Sequence, residues 1–264
     1  MRLTLLSHGV LVAFFIVTST IPAGCAHLPN AQAPIVQLST IDALLEGVYD
    51  GTFPVRQVTR YGNLGIGTFD RLDGEMIVLD GKCYRAQASG LVTRVTGTET
   101  TPFATVVRFR PERTVAMGDT QNFVAFSEDL DKQLPSANVF YAIRVSGVFD
   151  SIKIRTVPSQ TKPYPRLAQV VEKQSVFEKK GVSGTLLGFR CPEYVRGLNV
   201  PGYHLHFLSD DKTFGGHLQD FSGTGFQVEV DRVEEVRVIL PNDAAFLSAD
   251  LSTHKADELK KVEK

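Results

Sequence analysis

The sequence predicts an α+β protein, in which one helix is followed by several strands and the same order then repeats. Two observations support this class. Strand candidates come in runs after each helix candidate and do not alternate with helices as in a parallel βαβ protein. In addition, no glycine-rich phosphate loop opens a helix, which argues against a nucleotide enzyme. With 264 residues, 43% of them hydrophobic, the chain is long enough for one large or two modest domains with an apolar core.

Residues 1–33 are predicted to be a targeting segment outside the fold. A short basic start, Met1-Arg2, precedes a largely apolar stretch over residues 3–18, and small residues surround Cys25. This pattern is typical of a secretory signal peptide, so we expect export to the periplasm or the medium. Cys25 also fits a bacterial lipoprotein acylation site, and the sequence leaves lipidation and plain cleavage both open. A membrane partner is expected only if Cys25 is lipidated.

Residues 34–162 are predicted to form an N-terminal half. A helix is expected over Leu38–Tyr49, where apolar residues recur at helical spacing and Ser39 or Thr40 can serve as the N-cap. Asp80-Gly81 predicts a tight hairpin between two strands. The strands expected in this half are Phe53–Val58, Leu64–Phe69, Glu75–Leu79, Lys82–Ala86, Ala104–Phe109 and Val139–Val148.

Residues 163–250 are predicted to form a C-terminal half of similar design. Its helix is expected over Pro165–Lys180, with a basic last turn and Gly181 as the stop signal. The composition of the charged tail at 251–264 is typical of a solvated, frayed end. The strands expected in this half are Gly184–Cys191, Gly202–Leu208, Gly215–Leu218, Gly225–Val230 and Glu235–Ile239.

Net charge and cysteine content restrict the classes of partner. The formal net charge of -1 shows no excess of basic residues for binding nucleic acid, so no nucleic-acid partner is expected. Cys83 and Cys191 lie in apolar, strand-like runs. They could pair in an oxidising compartment or stay as separate buried thiols, and the sequence leaves both alternatives open.

Three of the six histidines cluster in one short segment, as His204, His206 and His217. Side chains two apart on a strand share a face, so His204 and His206 project together. A turn at residues 210–212 can bring His217 back to the same place. A pair of surface or hydrogen-bonded histidines would give the same local pattern. Three neutral imidazoles without a fourth protein ligand are, however, typical of an open, catalytic divalent-metal site, and the clustering favours that interpretation.

Two charged residues are candidates for the same site. Glu75 follows a turn at the head of an apolar strand, where it could act as a proton carrier beside a metal or simply face solvent. Arg155 lies in a strand that Pro158 ends, and its guanidinium is suited to a carboxylate substrate through two parallel bonds. A surface arginine is the alternative.

Several short motifs together resemble the acetolactate decarboxylase family, whose members convert 2-acetolactate to acetoin. They run in family order from about residue 35 to 250. The matching segments are Gly65-Ile66-Gly67-Thr68-Phe69-Asp70, Leu72-Asp73-Gly74-Glu75, Leu79-Asp80-Gly81, Arg155-Thr156-Val157-Pro158, Lys162-Pro163-Tyr164-Pro165, Gly202-Tyr203-His204-Leu205-His206-Phe207 and Gly215-Gly216-His217.

The resemblance implies an α+β fold of two similar halves, with an N-terminal mixed sheet and a smaller C-terminal antiparallel sheet or barrel, assembled as a homodimer. It implies Zn²⁺ bound by the three histidines, with Glu75 and Arg155 in the same pocket. It also implies that the 251–264 tail folds back to the site and supplies a glutamate, for which Glu263 is the candidate and Glu258 the reserve. The substrate would be a 2-hydroxy-3-keto acid, decarboxylated through a zinc-stabilised enediolate to (R)-acetoin in acetoin and butanediol biosynthesis.

Two other functions remain open from the sequence. An exported zinc hydrolase would use the same histidines, with Glu75 as general base for a metal-bound hydroxide. A periplasmic metal-binding lipoprotein is suggested by Cys25 and would bind metal without turnover.

Overall fold

Two β-sheets, packed against each other through a shared apolar cluster, form the framework of the computed structural model. The structure describes residues 33–253 and 255–263. Of the predicted targeting segment it describes only residue 33, and Cys25 lies outside the described residues. The strands are β1 (Ile35–Leu38), β2 (Phe53–Pro54), β3 (Leu64–Thr68), β4 (Glu75–Leu79), β5 (Lys82–Ala86), β6 (Val92–Val95), β7 (Thr100–Thr101), β8 (Ala104–Val107), β9 (Arg113–Ala116), β10 (Phe140–Thr156), β11 (Ser175–Cys191), β12 (Gly202–Ser209), β13 (Gly215–Gly223), β14 (Gln227–Val233) and β15 (Val236–Ile239). The helices are α1 (Ile41–Leu45), α2 (Val55–Tyr61), α3 (Phe123–Asp131), α4 (Leu167–Val171), α5 (Ala244–Ser248) and α6 (Ala256–Val262).

The first sheet is mixed and has seven strands in the order β15-β1-β8-β3-β4-β5-β6. Strands β1 and β15 run parallel, and the other neighbours run antiparallel. The predicted hairpin is confirmed, because Leu79 pairs with Lys82 across a two-residue loop. Asp80 and Gly81 have φ values of 50° and 73°, as the loop of a two-residue hairpin requires.

The second sheet is antiparallel, with six strands in the order β11-β12-β13-β10-β14-β9. Strand β10 also pairs with β11 along almost its whole length, so that β10, β11, β12 and β13 close into a small barrel. Aromatic rings fill its interior, and Phe149 lies 4.8 to 5.6 Å, centroid to centroid, from Phe207, Phe221 and Phe226. The predicted α+β class, with a mixed sheet and a smaller antiparallel sheet, is confirmed.

The helix predicted over Pro165–Lys180 is wrong beyond its first turns. Helix α4 ends at Val171, and residues 175–180 belong to β11, where they pair with residues 151–156 of β10. This long-range ladder of backbone hydrogen bonds overrides the local helical pattern. Gly181, with φ of 62°, lies within β11, between the residues that pair with Phe149 and Ser151 of β10, and does not end a helix.

The strand predicted over Phe53–Val58 is confirmed only over Phe53–Pro54 and is wrong beyond it, because helix α2 begins at Val55. Val55 and Val58 of α2 are buried on one helical face. The helix predicted over Leu38–Tyr49 is confirmed only over α1, where the Thr40 side chain accepts from the Ala43 amide as the predicted cap. Helix α3 was not predicted.

The two sheets do not divide the chain at residue 162. Strands β9 and β10 precede that position yet belong to the second sheet, whereas β15 returns to the first. Cys83 and Cys191 are free and buried in separate apolar clusters. Burial raises the pKa of each thiol to about 12. Within the described residues, no helix is both long and apolar enough to cross a membrane.

Candidate active site

The three histidines meet on one face of the barrel because of strand register. His204 and His206 alternate along β12, while Leu205 between them enters the core. Strand β13 runs antiparallel to β12 and places His217 directly opposite His206. The three ring centroids lie 5.0 to 5.4 Å apart. One nitrogen from each ring can be chosen so that all three lie within 4.8 Å of one another.

The β12–β13 connection fixes this register through its own hydrogen bonds. The Ser209 hydroxyl donates to Asp211 at 2.6 Å and accepts from the Phe214 amide at 3.0 Å. Gly216 then lets β13 approach its neighbour closely, since a Cβ there would lie 2.7 Å from the Arg155 carbonyl oxygen. The turn and the close approach at Gly216 together place His217 beside the other two histidines.

The histidines have the protonation state that metal ligands require. His206 Nδ1 lies 2.9 Å from the Met76 carbonyl oxygen, which can only accept, so Nδ1 carries the proton and Nε2 offers its lone pair. The buried His206 Nε2 and His204 Nδ1 have no hydrogen-bond partner. Burial lowers the pKa of His204 to about 3, helped by the positive charge of Arg155. Burial also lowers the pKa of His206 and His217 well below the ordinary value, so the rings are neutral at pH 7 and fit a divalent metal ion.

Arg155 lies beside the histidines, as the cross-strand neighbour of His217 on β10. Its guanidinium is buried. One Nη atom lies 3.7 Å from Glu75 Oε1, and the other donates to the Val262 carbonyl at 2.8 Å. The Nε atom is buried without a partner. A buried guanidinium with unused donors is suited to receive a carboxylate.

Glu75 reaches the site from the first sheet, as the first residue of β4. Its Oε2 lies 3.7 Å from His206 Nε2. Burial raises the pKa of Glu75 to about 7; the charge of Arg155 opposes this rise and that of Glu263 adds to it. The prediction that Glu75, Arg155 and the histidines lie together therefore agrees with the geometry, while their catalytic roles stay predictions.

Glu263 reaches the site from the end of α6, with Oε2 3.8 Å from His217 Nε2. Burial raises its pKa to about 7, and Arg155 opposes the rise. Glu258, the reserve candidate, instead lies 3.4 Å from Arg166. The expectation of a frayed tail is wrong for residues 256–262, because Leu259 and Val262 are buried against α1 and α4.

A cavity of about 40 Å³ lies among these groups. This volume has room for an ion and a few waters, since one water needs about 10–15 Å³ of such space. Sequence reasoning missed its apolar wall and the Met76 carbonyl that orients His206, because neither carries a chemical signature in the sequence. Thr68 lines the cavity too and could have been noted, since it lies in a motif matched above. The apolar wall consists of Ile41, Leu44, Leu72, Phe103, Val157, Leu167 and Val262.

Comparison with known proteins identifies the family. The family model for alpha-acetolactate decarboxylase matches residues 35–253. The alpha-acetolactate decarboxylase of Methanosarcina mazei is 47% identical over 235 residues, covering 89% of this chain and 82% of that protein. That of Methylococcus capsulatus is 45% identical over 236 residues, covering 89% and 91%.

A solved structure agrees in fold. The crystal structure of alpha-acetolactate decarboxylase from Bacillus subtilis strain 168 superposes with a TM-score of 0.85 at 38% identity, covering 87% of this chain and 99% of that one. Sequence match and fold thus agree over nearly all of the described residues. The chain belongs to the alpha-acetolactate decarboxylase family.

Proposed function

We propose that this chain is a zinc-dependent carboxy-lyase that converts (S)-2-acetolactate to (R)-acetoin through an enediolate, as a step of acetoin and butanediol biosynthesis. Family membership and the substrate named for the relatives support the reaction. One observation carries the metal dependence: three buried, neutral imidazoles converge within 4.8 Å, and two of them have nitrogens without any partner.

The reaction requires stabilisation of the electron pair that remains when CO2 leaves. Breaking the bond to the carboxylate of a 2-hydroxy-3-keto acid releases CO2 and leaves its electron pair on the remaining carbon skeleton. When bound to His204, His206 and His217, a divalent cation would supply Lewis-acid stabilisation of the resulting enediolate.

Arg155 is the group that would hold the departing carboxylate. Its guanidinium is buried beside His217, and its unpartnered Nε leaves a donor free for the substrate. A planar guanidinium binds a carboxylate with two parallel hydrogen bonds, which orients the bond to be broken.

The two glutamates are suited to deliver the proton that completes acetoin. Burial raises the pKa of Glu75 and of Glu263 to about 7, and a general acid works best when its pKa lies near the working pH. The charge of Glu263 disfavours ionisation of Glu75, which makes Glu75 the member of the pair better suited to hold the proton. Delivery from one fixed side of the cavity would give a single enantiomer.

Export and dimerisation belong to the same proposal. Support for export is the signal-like pattern of residues 1–33, with Cys25 as the candidate anchor. Support for a homodimer is family membership, and its assembly can be tested by sedimentation of the purified chain.

The proposal is tested by assaying acetoin and CO2 formation from racemic 2-acetolactate with the purified chain. We expect one acetoin enantiomer, loss of activity on chelation and recovery with Zn²⁺. A parallel panel of esters addresses the hydrolase alternative, and metal uptake without any turnover would indicate the binding lipoprotein. Turnover of esters in place of acetolactate, or activity untouched by chelation, would contradict the proposal.

A further inference from the structure

A single carboxylate outside the active site joins three helices. Glu46 lies at the end of α1, where both of its oxygens accept from one Nη of Arg166, at 2.7 and 2.9 Å. The ammonium of Lys255 lies 2.9 Å from the same carboxylate. The Glu46 side chain is only 14% exposed and that of Lys255 only 4%, so this pair differs from the solvated ion pairs of the surface.

The two cations stand at the starts of two other helices. Arg166 directly precedes α4, and Lys255 directly precedes α6. Arg166 also reaches Glu258 within α6, at 3.4 Å. The Glu46 carboxylate therefore fixes the point at which the C-terminal segment enters the fold.

Helix α6 depends on such anchors. It has seven residues, and isolated helices shorter than about 12–15 residues are marginal in water. Its apolar contacts come from Leu259 and Val262. At a rise of about 1.5 Å per residue, Glu263 lies roughly 12 Å along the helix from Lys255, so a shift at the start carries through to the carboxylate at the end.

We propose that Glu46 is a positioning residue of the active site: by holding Lys255, it sets where α6 places Glu263 beside His217. This inference rests on the role of Glu263 in the proposed function. It assigns to Glu46 no contact with the substrate, and its effect on the reaction passes through the helix.

The test compares Glu46→Gln with the unsubstituted zinc-loaded enzyme. The amide keeps a similar shape but leaves the buried Lys255 ammonium without a counter-charge. We expect kcat to fall about tenfold with KM nearly unchanged, because small misplacement of a reacting group alone can cost up to about a hundredfold. We also expect faster amide hydrogen exchange in residues 256–262 of the full chain, a readout that does not depend on turnover. Lys255→Met breaks the pair from its other side and should behave in the same way, which keeps the test valid if one variant folds poorly.

A matched control and a double variant separate positioning from general destabilisation. Asp129→Asn removes the carboxylate of the Lys132 pair on α3, whose side chains are 57% and 72% exposed, and should change neither kcat nor exchange in 256–262. In an enzyme that already carries Glu263→Gln, adding Glu46→Gln should lower kcat no further.

The outcomes are distinguishable. If Glu46→Gln lowers kcat equally with and without Glu263, or leaves exchange in 256–262 unchanged, the positioning role is overturned. If Glu263→Gln lowers kcat and Glu46→Gln does not, the positioning role fails and the proposed function stands. If Glu263→Gln has no effect, the proposed role of Glu263 fails, and the inference fails with it.

Discussion

The site combines two regions that are held in place by different means. His204, His206 and His217 stand on β12 and β13, in a closed barrel whose strands are hydrogen-bonded on both sides and whose interior is filled by aromatic rings. Glu263 stands at the end of α6, which two apolar side chains and a few charged contacts hold in place. The histidine face is thus part of the global fold, whereas the α6 segment is a local attachment to it.

The difference separates metal binding by the histidines from the proton transfer proposed for Glu263. Groups that hold a metal must keep a fixed spacing, and a hydrogen-bonded sheet provides this because its register cannot shift without disrupting the core. A carboxylate that moves a proton needs only to reach the right place, and a short helix can supply it. Substitutions in the two regions should therefore have different signatures.

The largest effect is expected where the sheet is altered. His206→Ala removes one of the three proposed metal ligands. Loss of only an outer partner of a ligand costs about 10- to 100-fold in metal affinity, so acetoin formation should fall by at least about 1000-fold. Metal content should fall in parallel while the circular dichroism spectrum is kept. Tyr203→Phe is the matched control on the same strand, because Tyr203 points to the opposite face and donates to Asp131. A His206→Ala protein that kept its metal and its rate would contradict the assignment.

The second prediction distinguishes a substitution in helix α6 from one in the sheet, because it should lower the rate without lowering the metal content. Glu263→Gln should lower kcat by about 100- to 1000-fold through loss of proton transfer, while metal content stays that of the unsubstituted chain. Asp257→Asn is the control on the same helix, and since Asp257 is exposed, it should change kcat less than about threefold. Equal effects of the two variants would remove the distinction between Glu263 and the rest of α6.

The third prediction concerns pH and the metal-free protein. Folding raises the pKa of Glu75 from 4.5 to about 7, so the folded state holds this proton more tightly than the unfolded state. The resulting stability is present below pH 4.5 and is lost as the pH rises through 7. Glu75→Gln cannot ionise, so at pH 8 the metal-free variant should exceed the metal-free parent in free energy of unfolding by at most about 3 kcal/mol. At pH 4 the two should be about equal.

Urea denaturation after chelation measures this difference. A Glu75→Gln variant less stable than the parent at both pH values would contradict this prediction. It would show that the contacts of the carboxylate stabilise the fold by more than the desolvation of its charge costs.

The smallest effect probes how locally α6 is attached. Leu259→Ala should weaken helix docking by about 2 kcal/mol, seen as faster amide exchange confined to residues 256–262. The comparison variant is Leu205→Ala between two of the histidines, which should lower the free energy of global unfolding because Leu205 lies in the barrel core. Global destabilisation by Leu259→Ala would mean that α6 is an integral part of the fold.

The same contrast explains what could be predicted from the sequence. The histidine face follows from alternation along a strand and a turn, both of which are local signals. The first six residues of β11 could not be predicted, because residues 175–180 are strand only through pairing with β10. The docking of α6 could not be predicted either, since its charged composition is typical of a solvent-exposed segment. Its attachment depends on the long-range partners of Leu259, Val262 and Lys255. Glu263 was reached through family resemblance alone.

The most direct test of the central claim is a titration of the metal-free chain with Zn²⁺ in which bound metal and acetoin formation are followed together. We predict that activity rises in proportion to bound metal and stops at one ion per chain, and that a chain carrying alanine at 204, 206 and 217 takes up none. Full activity before any metal is added, or one bound ion in the triple variant, would contradict the account.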